Sequence, residues 1–360
     1  MSGARIGLAL SGGGFRATAF GLGALRGLHD LDLLRHVDVV SGVSGGSLLA
    51  AMWAYGPTSF DEFDDTVVEL LRSGLQIETA RRAASPRRLI RRHNRTRRPG
   101  GLTDVLADTI ACRPFGARLL PEVTHPHLST MLAATDLASG NAVRFGSDRS
   151  SCSRFGEILD PIPVCDAVAA SCAYPVFLPP LTRTYTFRTR FGEPEGKRLR
   201  MTDGGVYDNM GISPLMPGRS RTHTAQVYDP DYIVAVDAAS GRETDPSPTP
   251  RGIYRLTLAR SFDITHTKTQ DGNRAQLHTV ATNGQLRGFV HAYLGMQDRN
   301  LPIHVEDYVP RCAVDSIGTS FKALTETELQ ALTTRGEQLT RVLTAHYHPE
   351  LAAPRTDRAP

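Results

Sequence analysis

Short apolar runs, each followed by a segment of helical period, are the first pattern in this chain. The runs Arg5–Leu10 and Val37–Ser41 predict buried strands, and a small-residue turn after the second run leads into a predicted helix, Ser47–Tyr55. A helical pattern also follows the first run. Strands that alternate with helices in this way are typical of an α/β fold.

Amphipathic and apolar segments continue along the chain. Ser59–Arg72 predicts a helix that Ser59 caps, with Glu62 completing a capping box. Threonines and arginines alternate around a glycine-proline turn in Leu181–Arg200, which predicts an exposed hairpin. The other predicted strands are Met131–Asp136, Ala142–Phe145, Leu199–Thr202 and Asp231–Ala238, and the other predicted helices are Val164–Cys172 and Thr325–His346.

The length and composition of the chain allow a large buried core, since 40% of its 360 residues are hydrophobic. We expect one domain over residues 1–350, with insertions at 73–102 and 181–200 and a disordered tail at 351–360. The longest apolar runs fall far short of the roughly 20 residues of a membrane span. The first residues lack the basic segment of a signal peptide, so an intracellular, cytoplasmic protein is expected.

The cysteines form an odd, scattered set without the spacing of a metal site. Such a set is typical of reduced thiols in a cytosolic protein. We therefore expect neither disulfides nor a metal, and nothing in the sequence calls for a cofactor. The five residues are Cys112, Cys152, Cys165, Cys172 and Cys312.

A local basic segment runs from Arg81 to Arg98. It contains nine arginines and no acidic residue, although the net charge of the whole chain is only +4. Such a segment can contact anionic lipid headgroups at a membrane surface, or it can be an ordinary solvated surface run, and both interpretations stay open. Nucleic acid is the less favoured partner because no aromatic residue is interleaved with these arginines.

A candidate nucleophile lies between the second predicted strand and its helix. Gly42-Val43-Ser44-Gly45-Gly46 matches G-x-S-x-G in the strand–turn–helix context of a nucleophile elbow. Gly42 and Gly46 remove side chains that would clash with strand and helix where the turn is sharpest. Ser44 is therefore the predicted nucleophile, although the five-residue motif alone has low specificity.

A run of three glycines follows the first predicted strand. Gly12, Gly13 and Gly14 precede Phe15-Arg16 at the start of a helical segment. The loop lacks the lysine of a phosphate-binding loop, and Phe15-Arg16 would crowd a pyrophosphate. Adjacent glycines expose backbone N–H groups where negative charge can develop, which indicates an oxyanion hole with Arg16 adding positive charge. The alternative is a tight turn that binds nothing.

A candidate base follows a later strand. Asp203 ends the predicted strand Leu199–Thr202, and Gly204-Gly205 allows its carboxylate to approach another part of the backbone closely. An isolated Asp-Gly is most often only a turn. The case for Asp203 therefore depends on the other two motifs.

In this order, the three motifs resemble those of the patatin-like phospholipase family and of its relative, the cytosolic phospholipase A2 catalytic domain. The similarity covers roughly residues 5–238, including the blocks Ala134–Phe145, Ala170–Pro175 and Asp203–Asn209. Two positions depart from the family pattern: Ser11 stands where the loop usually begins with aspartate, and Ala17 where it usually ends in glycine. The resemblance implies a three-layer α/β/α fold with a central, mostly parallel sheet.

The resemblance also implies a serine lipid acyl hydrolase with a Ser44–Asp203 dyad. Ser44 would attack a fatty-acyl ester, Asp203 would accept its proton, and an acyl-enzyme would form. A Ser-His-Asp triad is the alternative mechanism. Its candidate histidines would be His223, His266, His278, His291, His304, His346 and His348.

Other functions share these motifs. A lysophospholipase, a triacylglycerol lipase and a transacylase would all use the same acyl-serine step on different substrates or acceptors. A non-catalytic module that binds nucleic acid or a protein partner through Arg81–Arg98 is an alternative of a different class. Phospholipid or another acyl-ester lipid is the expected partner.

Overall fold

The computed structural model describes most of the chain. The described residues are 4–85, 101–175, 177–188, 193–220, 224–241, 254–303 and 305–352. Most of the arginine-rich segment, the turn of the predicted hairpin and residues 353–360 of the predicted tail lie outside these ranges. Residues 351 and 352 of that tail belong to a short helix.

Ten strands and ten α-helices are found in the described ranges. The strands are β1 Ile6–Leu10, β2 Val37–Val43, β3 Ser129–Asp136, β4 Asn141–Gly146, β5 Ser150–Cys152, β6 Gly156–Ile158, β7 Leu181–Arg188, β8 Glu195–Asp203, β9 Tyr232–Asp237 and β10 Gly288–Tyr293. The helices are α1 Gly14–Asp30, α2 Gly45–Tyr55, α3 Phe60–Ser73, α4 Gln76–Ala83, α5 Leu102–Ile110, α6 Val164–Ser171, α7 Gly205–Asp208, α8 Tyr254–Thr282, α9 Glu326–Tyr347 and α10 Pro349–Ala352.

The strands form one mixed sheet with two different halves. The order β10-β9-β1-β2-β3 is parallel throughout, as the βα pattern predicts. From β3 to β8 every pairing is antiparallel, and β8 pairs back onto β3, which closes a six-stranded barrel. The prediction of a mostly parallel central sheet is therefore confirmed only for the half from β10 to β3. The half from β3 to β8 is antiparallel and closes into a barrel, which leaves no free strand edge there.

Strand β3 brings the two halves together. One of its edges pairs with β4 along Met131–Asp136. Its other edge is shared: β2 pairs with it up to Ala133, and β8 pairs with it from Ala134 onward. Because β2 and β8 run in opposite directions along that edge, their carboxyl ends meet end to end.

Helices cover both faces of the parallel half. Leu8 and Leu10 face a core shared with α1, α2 and α9. Ala9 and Val39 face a second core, formed with the segment Met210–Met216 and with the C-terminal part of α8. The three-layer α/β/α arrangement follows from this alternation of side chains along the strands.

Two local expectations need correction. The predicted hairpin of residues 181–200 is not an exposed insertion, since β7 and β8 are strands of the barrel and bury Leu181, Phe187 and Leu199. Helix α3 begins after Ser59 as predicted, but the Ser59 side chain makes no capping hydrogen bond. At α9 the capping box is complete, with Thr325 accepting from the Glu328 amide.

Candidate active site

Ser44 occupies a strained turn between β2 and α2. Its backbone has φ 52° and ψ −120°, a conformation that non-glycine residues rarely adopt. A Cβ atom on Gly42 would lie 2.6 Å from the Cα of Ser47, and one on Gly46 would overlap the carbonyl oxygens of Leu10 and Ser11. The turn can form because both positions are glycine.

Backbone and side-chain hydrogen bonds hold Ser44 in place. Its amide donates to Oγ of Ser171 at 2.9 Å. Its carbonyl oxygen accepts from the Leu48 amide at 3.1 Å and from Oγ of Ser47 at 2.6 Å. Ser171 has no predicted role in the sequence, although it lies in the Ala170–Pro175 block that carries part of the family resemblance.

Asp203 ends β8 with its carboxyl group buried. The side chain is 2% exposed, and Oδ1 accepts from the Gly205 amide at 2.8 Å. Oδ2 is also buried and has no hydrogen-bond partner within the described ranges. A buried polar atom without a partner is uncommon and costly, so Oδ2 is free to accept a proton from a donor that approaches it.

Ser44 and Asp203 come together because of their register on β3. Val43 lies opposite Ala133, and Asp203 lies opposite the next residue, Ala134. Burial raises the pKa of Asp203 to about 6, and the Gly205 amide and the Ser44 hydroxyl both oppose this rise. The Ser44 side chain thus faces the Asp203 carboxyl group, although Oδ2 is outside hydrogen-bond geometry with it.

The glycine loop lies beside Ser44. A Cβ atom on Gly12 would be 3.4 Å from the Cβ of Ser44. The sequence predicts free amides at all three glycines of the loop. The Gly12 amide is not free, because it donates to the carbonyl oxygen of Asn209 at 2.9 Å. The amides of Gly13 and Gly14 make no hydrogen bond with any described residue, and both glycines have positive φ, 141° and 53°.

Ser11 fixes the start of this loop. Its amide donates to the carbonyl oxygen of Val236 at 3.0 Å, and its Oγ accepts from the Ala238 amide at 2.8 Å. The hydroxyl therefore anchors the loop to the end of β9. This contact gives a structural role to a position where the chain departs from the family pattern.

The segment 317–321 packs against the other side of the glycine loop. Arg16 donates from Nη1 to the carbonyl oxygen of Ile317 at 3.0 Å, and the Phe15 amide donates to Ser320. The rings of Phe15 and Phe321 meet edge to face, 5.4 Å apart. Arg16 lies on the first turn of α1, and at least one of its donors is used to hold this segment.

The described histidines lie elsewhere. His291 contacts Asp237, and His348 contacts Glu350. The ring of His278 packs against Phe289, and that of His346 against Tyr347. The side chains of His223, His266 and His304 lie outside the described set. None of the four described candidates for a triad histidine therefore contacts Ser44 or Asp203.

No group of three or more His, Cys, Asp or Glu side chains in the described ranges could hold a metal ion. Every helix in those ranges is too short or too polar to cross a bilayer.

Gly14→Ala is expected to lower the free energy of unfolding by about 3 kcal/mol, because the new Cβ would overlap the carbonyl oxygen of Thr319 at a positive φ. Gly196→Ala is the matched control, since Gly196 has open space around its Cβ position and should change stability by less than about 0.5 kcal/mol. Urea unfolding measures both. Equal effects of the two changes would contradict the close packing of segment 317–321 on the loop.

The fold and the site together define an α/β protein with a serine at a strand–helix turn and a buried carboxylate opposite it. The family model for patatin-like phospholipase matches residues 8–216, more than half of the chain. The chain belongs to the patatin-like phospholipase family, which confirms the resemblance seen in the sequence.

Solved structures agree with this assignment of the fold. Human GIVD cytosolic phospholipase A2 superposes with a TM-score of 0.55 at 13% identity, covering 97% of this chain and 62% of that one. The same protein in complex with methyl gamma-linolenyl fluorophosphonate gives 0.56 at 13% identity, covering 97% and 59%. This chain therefore spans less than two thirds of the human protein. A comparison with curated proteins finds no significant match.

Proposed function

We propose that this protein is a phospholipase A or lysophospholipase that cleaves fatty-acyl esters through Ser44 and Asp203. The observation that carries the proposal is the buried Oδ2 of Asp203, which lacks a partner and belongs to a carboxyl group facing the Ser44 hydroxyl. A carboxylate with a pKa of about 6 is a better base than an ordinary aspartate and is still mostly ionised at pH 7.

The first half of the reaction forms an acyl-enzyme. Asp203 Oδ2 accepts the hydroxyl proton of Ser44 as Oγ attacks the ester carbonyl carbon. The carbonyl π electrons move to oxygen and give a tetrahedral oxyanion. When this intermediate collapses, the bond to the leaving alkoxide breaks, the proton returns from Asp203 to that oxygen, and the acyl group stays on Ser44.

The second half releases the fatty acid. Asp203 removes a proton from water, which attacks the acyl carbon and forms a second oxyanion. Collapse of this intermediate breaks the bond to Oγ, and Oγ regains the proton from Asp203. The carboxylate acts as base and then acid in each half, so the scheme needs no histidine.

The amides of Gly13 and Gly14 are the proposed donors to the oxyanion. They lie at the N-terminus of α1, where the helix dipole also favours negative charge. Gly12 keeps the backbone close to Ser44 through its bond to Asn209, so its proposed role is to shape the loop. Arg16 adds positive charge on the first turn of α1.

The same acyl-Ser44 intermediate can form from several acyl-ester lipids. Triacylglycerol lipase and transacylase activities use the same acyl-Ser44 intermediate and differ in pocket and acceptor. Contact with anionic membranes through Arg81–Arg98 remains a prediction. The test is a panel of phospholipid, lysophospholipid and triacylglycerol with the same acyl chain, assayed for free fatty acid with and without an added acyl acceptor.

Wild-type protein is expected to release fatty acid from the phospholipid or the lysophospholipid and to become labelled by a fluorophosphonate probe at Ser44. A fluorophosphonate is an apt probe because it reacts with activated serine hydroxyls. Mass spectrometry of the labelled peptide identifies the site. Labelling at a different serine, or no release of fatty acid from either the phospholipid or the lysophospholipid, would contradict the proposal.

A further inference from the structure

In the described ranges, the two strands that carry the dyad do not pair with each other. Ser44 directly follows β2, and Asp203 is the last residue of β8. Each strand pairs with a different part of one edge of β3, so no ladder between β2 and β8 sets the distance between the two side chains. A third element must therefore fix that distance if Ser44 is to stay opposite the carboxyl group.

The C-terminal end of helix α6, residues 171–173, contacts both members of the dyad. On the side of β2, Oγ of Ser171 accepts from the Ser44 amide at 2.9 Å. On the side of β8, the carbonyl oxygen of Ala173 accepts from the Asp203 amide at 3.0 Å. The end of the helix thus bridges the gap that strand pairing leaves open.

Burial and hydrogen bonds of its own hold this end of the helix firmly. Ser171, Cys172 and Ala173 are each at most 2% exposed. The Cys172 amide donates to the carbonyl oxygen of Val168 at 2.9 Å, and the Tyr174 amide donates to that of Cys172 at 2.8 Å. A shift of these residues would break backbone hydrogen bonds in a place that excludes water, which is costly.

The two contacts differ in the kind of atom that accepts the hydrogen bond. At Asp203 the acceptor is a backbone carbonyl oxygen, which every residue type carries. At Ser44 the acceptor is a side-chain hydroxyl, so this contact depends on the identity of residue 171. Cys172 cannot replace it, because its thiol, which lies beside the Ser44 hydroxyl, is only a weak acceptor.

The backbone conformation of Ser44 makes this contact important. Its φ of 52° and ψ of −120° are costly for a residue with a Cβ atom, so the turn keeps them only while its surroundings hold it. The Ser44 carbonyl is held by α2, and the Ser44 amide is held by Ser171. Loss of the Ser171 hydroxyl would leave that amide buried without a partner and allow the turn to relax.

We propose that Ser171 is a positioning residue, through which the C-terminal end of α6 holds the Ser44 hydroxyl where Asp203 can accept its proton. This inference rests on the proposed function. Ser171 acts on the reaction through the position of Ser44, so its loss should slow the chemical step and leave substrate binding nearly unchanged.

Steady-state kinetics of Ser171→Ala and Ser171→Cys test this role, on whichever of phospholipid and lysophospholipid the wild type cleaves faster. Ser147→Ala is the matched control, since Ser147 is also buried and its Oγ accepts from the Thr130 amide at 3.0 Å. Thr130 lies opposite Val40, three residues before the end of β2. The control therefore removes the same kind of hydrogen bond farther from Ser44.

Ser171→Ala is expected to lower kcat by about 100-fold and to leave KM within about threefold of the wild-type value, because a nucleophile displaced by about 1 Å loses this much rate. Ser171→Cys keeps the space filled but offers a weaker acceptor, so it should lose at least about tenfold. Ser147→Ala should keep kcat within about twofold while lowering the urea midpoint about as much as Ser171→Ala does.

A wild-type kcat in folded Ser171→Ala would overturn the inference. A wild-type kcat in Ser171→Cys would also overturn it, because packing rather than the hydrogen bond would then be responsible. An equal loss of kcat in Ser147→Ala would overturn it as well, since the effect would be one of general stability.

Fluorophosphonate labelling gives a second readout, which needs no lipid substrate. The rate of labelling should fall at least about tenfold in Ser171→Ala, with Ser44 still the labelled residue. Labelling of Ser171→Ala at the wild-type rate would overturn the positioning role and leave the proposed function intact. If the wild type neither cleaves lipid nor reacts with the probe, the proposed function fails, and this inference fails with it.

Discussion

Ser44→Ala is expected to lower phospholipid turnover by about 10⁴-fold or more and to abolish fluorophosphonate labelling. Removal of a serine nucleophile leaves only the binding and oxyanion contributions to the rate, which accounts for losses of this size. Alanine tolerates the unusual backbone of Ser44 no worse than serine does, so the turn itself should persist. Steady-state fatty-acid release and gel-based labelling measure the two effects.

Ser47→Ala serves as the matched control for this change. Ser47 lies in the same helix and is also buried, and its hydroxyl donates to the carbonyl oxygen of Ser44 rather than facing Asp203. The Ser47→Ala variant should still be labelled by the fluorophosphonate at Ser44. If Ser44→Ala turned over substrate within about tenfold of the wild-type rate, the nucleophile would be another residue. Circular dichroism of both variants shows whether either change disturbs the fold.

The parts of the fold that the sequence predicts are those with strong local patterns. β1, β2 and β9 are short apolar runs, and each predicted end lies within two residues of the observed one. β5 and β6 have three residues each and carry no alternation long enough to detect. Closure of the barrel depends on the pairing of β3 with β8, which are distant in sequence, so no local pattern indicates it.

Local patterns also decide which residues of the site can be predicted from the sequence. Ser44 and Asp203 are visible in the sequence because each needs glycines around it, and glycine clusters stand out. The partners that complete the site use backbone atoms or common side chains: the Asn209 carbonyl, the Ser171 hydroxyl and the segment 317–321. Contacts of this kind leave no pattern in one sequence, and the engaged amide of Gly12 could not be foreseen for the same reason.

Asp203→Asn is expected to lower kcat by about 10³- to 10⁴-fold, because an amide cannot accept the Ser44 proton. In the wild type, activity should rise with pH through about pH 6, since burial raises the pKa of Asp203 to about 6 and only the ionised carboxylate acts as base. A pH–rate profile of kcat/KM from pH 4 to 8 measures this dependence. Near-normal turnover of Asp203→Asn would favour a triad with a histidine outside the described set.

The same substitution should raise stability at neutral pH, which separates a catalytic loss from unfolding. The pKa of Asp203 is about 6 in the folded protein against an ordinary value of 3.8, so the unfolded chain releases this proton first as pH rises. The contribution of Asp203 to stability is fully present below pH 3.8 and is lost as pH rises to about 6, at a cost of about 3 kcal/mol.

Asparagine does not ionise, so Asp203→Asn should be more stable than the wild type at pH 8, by up to about 3 kcal/mol, and nearly equal to it at pH 4. Urea unfolding at the two pH values measures the difference. A gap that is the same at pH 4 and pH 8 would mean that the folded protein does not perturb this carboxyl group. In that case the pKa of Asp203 would be ordinary, and its burial would not explain why it can act as a base.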